Sequence, residues 1–295
     1  MEEDTGGLEN FKMIKNLDKI KPKAKVIDDE HYLFNSDCLE VLKQIPNNSI
    51  KLIVTDPPYN IGLKYNQYDD NKKWSDYYKE LEERFKEMAR ILTEDGSLYL
   101  INYPEVNAYC MPLLNKTGLI FRRWITWHYP SNIGHSKTNY TRTQRSILFY
   151  TKSMKNTFNK DAIVQPYKNP DVAKIKKLIM KGKRGRTPYD SLEEKDLFEI
   201  FKEEMPDFLN FNLLKNVSKD REEKHPCQLP LPLLKVFIKA SSNKGDIVLD
   251  CYAGTFTTNK AAKDLERKSI GIEIDKKYVS FGIKRLKEND NKRNS

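Results

Sequence analysis

Apolar positions along the chain switch between two spacings, and the switches mark out its elements. His31-Tyr-Leu-Phe34 and the run from Ile50 to Thr55 are short and apolar throughout, the pattern of strands buried on both faces. Between them, Cys38 to Gln44 predicts a short helix and Pro46-Asn-Asn a turn. Trp74, Tyr77, Tyr78, Leu81, Phe85, Met88 and Leu92 recur at helical spacing, and Glu94-Asp-Gly96 is expected to stop that helix. This stripe is core. Ser97 to Tyr103, Phe121 to His128 and Arg145 to Thr151 predict strands. Pro232 to Ala240 predicts a helix opened by proline. Asp246 to Asp250 and Ser269 to Asp275 predict two further strands, the second ending in acids. Strands interleaved with helices give an α/β fold.

The 295 residues, 38% of them hydrophobic, suffice for one large domain with an insertion or for two modest ones. Fifty-two Lys and Arg against 42 Asp and Glu leave a formal charge of +10, which favours an anionic partner. Cys38, Cys110, Cys227 and Cys251 are scattered, which argues against a zinc site or disulfide framework and fits a reducing cytoplasm. Neither a signal peptide nor an apolar run of ~18 residues is present, so no membrane span is expected. Residues 1 to about 28 are mixed-charge and poorly periodic, the texture of a mobile or loosely docked arm. Ile61 to Lys73 is polar, rich in Asn and Tyr, and is expected to be mobile. From Lys152 to Lys224 the texture changes. Its first half is basic, peaking at Lys181-Gly-Lys183-Arg184-Gly-Arg186; its second turns acidic and then reads Phe208-Leu-Asn-Phe-Asn-Leu-Leu.

The candidate chemistry begins with Asp56-Pro57-Pro58-Tyr59 at the end of the Ile50–Thr55 strand. Carboxyl ends of parallel strands are where open α/β sheets bind ligands. Two prolines stiffen the loop and donate no hydrogen bonds, leaving their carbonyls to accept. A flat ring bearing an amine suits this loop: Tyr59 stacks, while Asp56 and the Pro57 carbonyl accept from the NH2. About 190 residues later, Asp246-Ile-Val-Leu-Asp250-Cys251-Tyr252-Ala253-Gly254-Thr255-Phe256 leads, about twenty residues on, to Ser269-Ile-Gly-Ile-Glu273. Strand, Gly turn, helix, strand and acid is the pattern of a nucleoside-binding βαβ unit.

The two motifs in this order resemble the permuted, β-class DNA amino-methyltransferases, and Thr255-Phe-Thr-Thr258 looks closest to a YhdJ-like adenine-N6 subgroup. The resemblance covers roughly residues 30 to 285. It implies a Rossmann-like sheet with helices on both faces, S-adenosylmethionine as cofactor, and DNA as substrate. Residues 31–153 and 225–287 would form the catalytic and cofactor-binding domain. Residues 154–224 would be a target-recognition insertion, with 1–30 an arm and 288–295 a tail. The strands Phe121–His128 and Arg145–Thr151 would be the family's closing hairpin. Asp56, Pro57, Pro58 and Tyr59 take the catalytic places, and Asp250, Tyr252, Ala253, Gly254, Thr255 and Glu273 the cofactor places. Asp37 stands where the family has an acid facing the cofactor's adenine, and a helix N-cap is equally open to it.

Lys181, Lys183, Arg184 and Arg186 are candidates for DNA phosphates; a solvated basic loop is the plainer alternative. Trp124, Trp127 and Tyr129 could stack on bases, but strand alternation assigns at least half of them to the core. In His225-Pro226-Cys227-Gln228-Leu229-Pro230, Cys227 and Leu229 replace a Thr and a Lys that hold the cofactor's amino-acid end in the family. Phe256 stands where a glycine is common. Asp at position 56 favours adenine over cytosine-N4. Cytosine-N4 transfer and an inert DNA-binding protein are the alternatives. A homodimer and a restriction endonuclease on another chain are the further partners implied.

Overall fold

A computed structural model describes residues 17, 19–62, 67–129, 138–201 and 229–287. Its centre is a sheet of nine strands among those residues, in the order β1-β2-β9-β8-β3-β4-β6-β5-β7. These are β1 (Lys25–Ile27), β2 (His31–Asn35), β3 (Ile50–Thr55), β4 (Leu92–Asn102), β5 (Ile120–His128), β6 (Gln144–Thr151), β7 (Ser191–Leu192), β8 (Ile247–Asp250) and β9 (Lys268–Glu273). β2, β9, β8, β3 and β4 run parallel, and β6 then reverses against both β4 and β5. The last pair is the expected hairpin. From the middle, β3, β4, β6, β5 and β7 run outward on one side and β8, β9, β2 and β1 on the other, so the order turns where β3 lies beside β8, with Leu52 opposite Val248.

Alternation along the buried strands feeds two apolar layers. Ile53, Leu98, Leu100 and Leu249 point to one face, where α1 (Cys38–Leu42), α2 (Trp74–Ile91) and α3 (Pro104–Asn115) pack. Leu52, Val54, Tyr99 and Ile101 point to the other, against α6 (Leu231–Ser241) and α7 (Thr257–Asp264). The short helices α4 (Ala173–Met180) and α5 (Glu194–Phe201) precede these, and α8 (Lys276–Lys287) closes the described chain. Both faces are thus covered, as a parallel sheet requires. Among the described residues no helix is long and apolar enough to cross a membrane.

Three expectations need amending. The helix beginning at Trp74 ends at Ile91, and Leu92 already pairs with Ile50 as the first residue of β4. Glu94-Asp-Gly96 therefore lies inside a strand, in a bulge between the Ile50–Leu92 and Leu52–Ser97 pairs. A Cβ at Gly96 would meet the carbonyl oxygens of Thr93 and Lys51 at 2.9 and 3.0 Å, so the glycine permits a close approach of two backbones. The described end of the arm is docked, with Leu17 and Ile20 buried and β1 hydrogen-bonded antiparallel to β2. The polar segment after the catalytic loop is stapled at its base. Asp70 accepts from the amides of Asn60 and Ile61 at 2.7 and 3.1 Å, and the Asn60 side chain exchanges two bonds with the Lys72 backbone. The insertion's described part also enters the core, through Ile163, Leu192, Leu197 and Phe201.

Candidate active site

One cleft opens at the carboxyl ends of β2, β3, β8 and β9, and it gathers residues from both sequence motifs. Asp37, Asp56 to Tyr59, Asp250, Tyr252 to Thr255 and Glu273 all line it. A clasp joins the motifs: the Thr55 hydroxyl donates to Asp250 at 3.0 Å and accepts from the Cys251 amide at 3.2 Å. Thr55 is the last residue of β3 and Asp250 the last of β8, so the adjacency of those strands makes the contact.

The Gly turn is organised by its acids. Asp250 also accepts from the Tyr252 amide at 3.1 Å and from the Thr258 hydroxyl at 2.6 Å. Glu273 accepts from the Gly254 amide with one oxygen and from the Asp275 amide with the other, each at 2.8 Å. Burial pushes Asp250 up to about 6 and Glu273 up to about 7, although these donors pull both the other way. Phe256 takes a left-handed φ of 58° ahead of α7, where a glycine would be at ease. That costs a side-chain-bearing residue about 1–2 kcal/mol. Its ring is fully buried against Gly271 and Gly282, where an added Cβ would come within 2.7 and 2.3 Å of it. Burying a Phe returns about 1.5–3 kcal/mol, which offsets the strain.

Asp37 has both roles' requirements within reach. It caps α1, accepting from the Leu39 amide at 2.8 Å, and its other oxygen meets Arg84 at 2.7 Å while the residue lines the cleft. Arg84, from α2, was not foreseen; it also contacts the Cys38 sulfur at 3.3 Å. Tyr252 lines the same wall.

The catalytic loop is held from elements that its sequence does not announce. The Tyr77 hydroxyl donates to the Pro58 carbonyl at 2.6 Å, and the Asn102 amide to the Pro57 carbonyl at 3.3 Å. Each prolyl carbonyl therefore already accepts one bond, although each keeps a second lone pair. The Tyr59 hydroxyl donates to Asp56 Oδ2 at 2.8 Å. Asp56 Oδ1 is buried with no hydrogen-bond partner. Burial pushes the Asp56 carboxyl up to about 8, against the pull of the Tyr59 hydroxyl and the Arg145 charge; the Asp250 charge adds to the rise. The Tyr59 ring, expected to receive a flat base, is 1% exposed and lies 4.6 Å from the Tyr103 ring.

The insertion's basic peak lies elsewhere. Lys181, Lys183 and Arg184 are exposed, whereas Arg186 turns its guanidinium onto the Tyr189 ring, 3.9 Å from its centre. Trp127 and Tyr129 are buried and Trp124 packs partly against the core, so none of the three is an open stacking surface. His225 to Gln228, Cys227 included, lie outside the described residues, as do Phe208 to Leu214. Leu229 lines the cleft.

Comparison with known proteins decides the family. The model of the family described as DNA methylase matches residues 50–284. The chain belongs to the DNA methylases. Among curated proteins, this methylase is 36% identical to the DNA adenine methyltransferase YhdJ of Escherichia coli (strain K12), over 86% of its own length and 82% of the relative's. It is 34% identical to the type II methyltransferase M.HpaI of Haemophilus parainfluenzae, over 86% and 73%. Among solved structures, the M1.HpyAVI–SAM complex aligns with a TM-score of 0.60 at 22% identity, covering 87% of this chain and 99% of that one. The cytosine-N4-specific PvuII DNA methyltransferase aligns at 0.62 and 17%, covering 87% and 86%. The methylase thus shares its fold with a cytosine-N4-specific enzyme, while the YhdJ to which it is 36% identical is an adenine methyltransferase.

Proposed function

We propose that this DNA methylase transfers a methyl group from S-adenosylmethionine to the exocyclic N6 of adenine in DNA. The observation that carries the reading is the unpartnered, buried Oδ1 of Asp56, beside the Pro57 carbonyl at the end of β3. A lone acceptor in a cleft calls for a donor, and an exocyclic amine brings two N–H groups. The identity to YhdJ favours adenine; the fold alone is neutral between adenine and cytosine.

The cleft also fits the cofactor. Glu273 retains lone pairs toward the cleft for ribose hydroxyls, Asp37 offers an acceptor for an adenine amine, and the Tyr252–Thr255 turn supplies a wall. When bound, S-adenosylmethionine supplies an electrophilic methyl group.

The target base must leave its stack to reach Asp56, at a cost of a few kcal/mol. Asp56 Oδ1 and the Pro57 carbonyl then accept the amine's protons, which draws the nitrogen out of conjugation and exposes its lone pair. Tyr59 holds Oδ2, so the carboxylate presents one fixed oxygen. Positioning and electrostatics carry the step, with no covalent enzyme intermediate. Asp56 takes up the amine's proton as the methyl arrives. Lys181, Lys183 and Arg184 serve DNA phosphates, and Arg186 supports that segment from within. A cytoplasmic location, a second copy of the chain and an endonuclease on a separate chain belong to the same proposal.

The test is incubation with tritiated S-adenosylmethionine and unmethylated DNA, followed by digestion and chromatography of the nucleosides. Label in N6-methyladenine is expected. Label in N4-methylcytosine would overturn the choice of base, and cofactor binding without label in DNA would overturn the substrate. Loss of cofactor binding would favour the inert DNA-binding alternative, which Cys227 and Leu229 suggest.

A further inference from the structure

Arg145, on β6, sits in a box of three tyrosines that the methyl-transfer chemistry leaves unexplained. Its Nε donates to the Tyr59 hydroxyl at 3.2 Å, and its Nη1 donates to the Tyr129 hydroxyl. Its guanidinium carbon lies 4.0 Å from the centre of the Tyr103 ring. Among the described residues it makes no ion pair with a carboxylate. A half-buried cation without a carboxylate partner is costly unless its contacts require the charge.

The donor count shows what the box does. Arginine has five N–H groups and no acceptor, so Tyr59 must accept from it. The phenol has a single proton, which is then committed to Asp56 Oδ2, as observed at 2.8 Å. Tyr129 meets the same rule from the other side, donating to the Gln144 carbonyl at 3.2 Å while accepting from Arg145. Tyr103 fixes the plane of the guanidinium and packs against the Tyr59 ring.

We propose that Arg145 is a positioning residue: by holding the Tyr59 hydroxyl as an acceptor, it directs the phenolic proton to Asp56 Oδ2 and reserves Oδ1 for the target amine. This rests on the methyl-transfer reading above. The groups facing Asp56 are Tyr59 from its own loop, Arg145 from β6 and Asp250 from the end of β8. The Arg142–Glu105 pair, at 2.8 Å, lies against the same Tyr103 ring through Arg142. Arg145 is thus the positive charge that favours the ionised Asp56 and opposes burial and Asp250.

The test is the pH dependence of kcat/KM for methyl transfer in wild type, Arg145→Met, Arg145→Lys and Tyr59→Phe, with S-adenosylmethionine binding by calorimetry as the check on folding. Arg145 does not line the cofactor cleft, so binding should survive both of its changes; Tyr59 does line it, so the Tyr59→Phe limb is read with cofactor saturating. Arg145→Met should move the acid limb up by about one pH unit, for a loss of activity of about ninefold at pH 7 but only about twofold at pH 9. Arg145→Lys, which keeps the charge without the fork, should place the limb between the two. Tyr59→Phe should raise the limb as well, and adding Arg145→Met to it should shift the limb less than in wild type, since the relay is already cut. A limb that stays in place while activity falls uniformly would overturn the proposal, whether in Arg145→Met or, should that variant not bind cofactor, in Arg145→Lys. A wild-type protein that labels no DNA would instead overturn the methyl-transfer reading itself.

Discussion

The two halves of the cleft treat their carboxylates in opposite ways. Around the Gly turn, Asp250 and Glu273 have donors on all four of their oxygens, supplied by the turn's Tyr252 and Gly254 amides, by the Asp275 amide after β9, and by the hydroxyls of Thr55 and Thr258. In the catalytic loop, Asp56 has one oxygen committed to Tyr59 and one bare. The first arrangement is a finished cradle whose shape does not wait for a ligand. The second leaves an acceptor unsatisfied, at a cost that a substrate amine would remove on the proposed reading. A site can therefore be preorganised by giving every oxygen of its shaping acids a donor, with lone pairs to spare, while one oxygen of a neighbouring acid is left without any.

The comparison breaks most visibly at Asp56. Asp56→Ala should lower methyl transfer by about 10³-fold or more, the scale on which removing one aligned polar group acts, while gel shift shows DNA binding intact. An active variant would mean that the bare oxygen is incidental. Asp250→Ala should act on the fold instead, since the hydroxyls of Thr55 and Thr258 and the Tyr252 amide lose their buried acceptor. Denaturant unfolding should register a loss of about 2–4 kcal/mol, and unchanged stability would show that the cradle is not held this way. Phe256→Gly sharpens the point. It relieves about 1 kcal/mol of left-handed strain but empties a fully buried ring position, for a net loss of about 2 kcal/mol. A gain in stability would mean that strain outweighs packing there.

A smaller effect follows from the raised carboxyls. Asp56, Asp250 and Glu273 hold protons to higher pH in the folded chain than unfolded, from ordinary values of 3.8, 3.8 and 4.5 up to about 8, 6 and 7. The native state thus binds more protons across that window, and stability must fall as pH rises from about 4 through about 8. Unfolding curves taken at several pH values on the cofactor-free protein should show the decline; a rise over the same window would contradict the assigned burial.

Much of this was legible in the sequence because both motifs are local. A strand's apolar run, its terminal acid and the turn residues that follow lie within a dozen positions, and their spacing carries the geometry. What holds the motifs does not. Tyr77, Arg84, Asn102 and Arg145 brace the motifs from α2, β4 and β6, and no local pattern separates a Tyr or Arg that braces a loop from one that faces water. The misplaced helix end has a similar cause. Leu92 fits the helical stripe by spacing, yet its backbone is extended and pairs with Ile50, so a tertiary contact overrides a local period. The arm failed in the other direction. Three residues, Lys25–Ile27, are too few to show a strand's alternation, and β2 supplies the edge that orders them.

The most direct test of a waiting acceptor is kcat/KM for methyl transfer by the wild-type protein as a function of pH, which reports the free enzyme. Because Asp56 must be ionised to accept, and burial holds its proton up to about 8, activity should climb through that region toward a plateau above it. A profile already level from about pH 5.5, well below that value, would mean that Asp56 is an ordinary ionised carboxylate and that its bare oxygen does not wait for the amine.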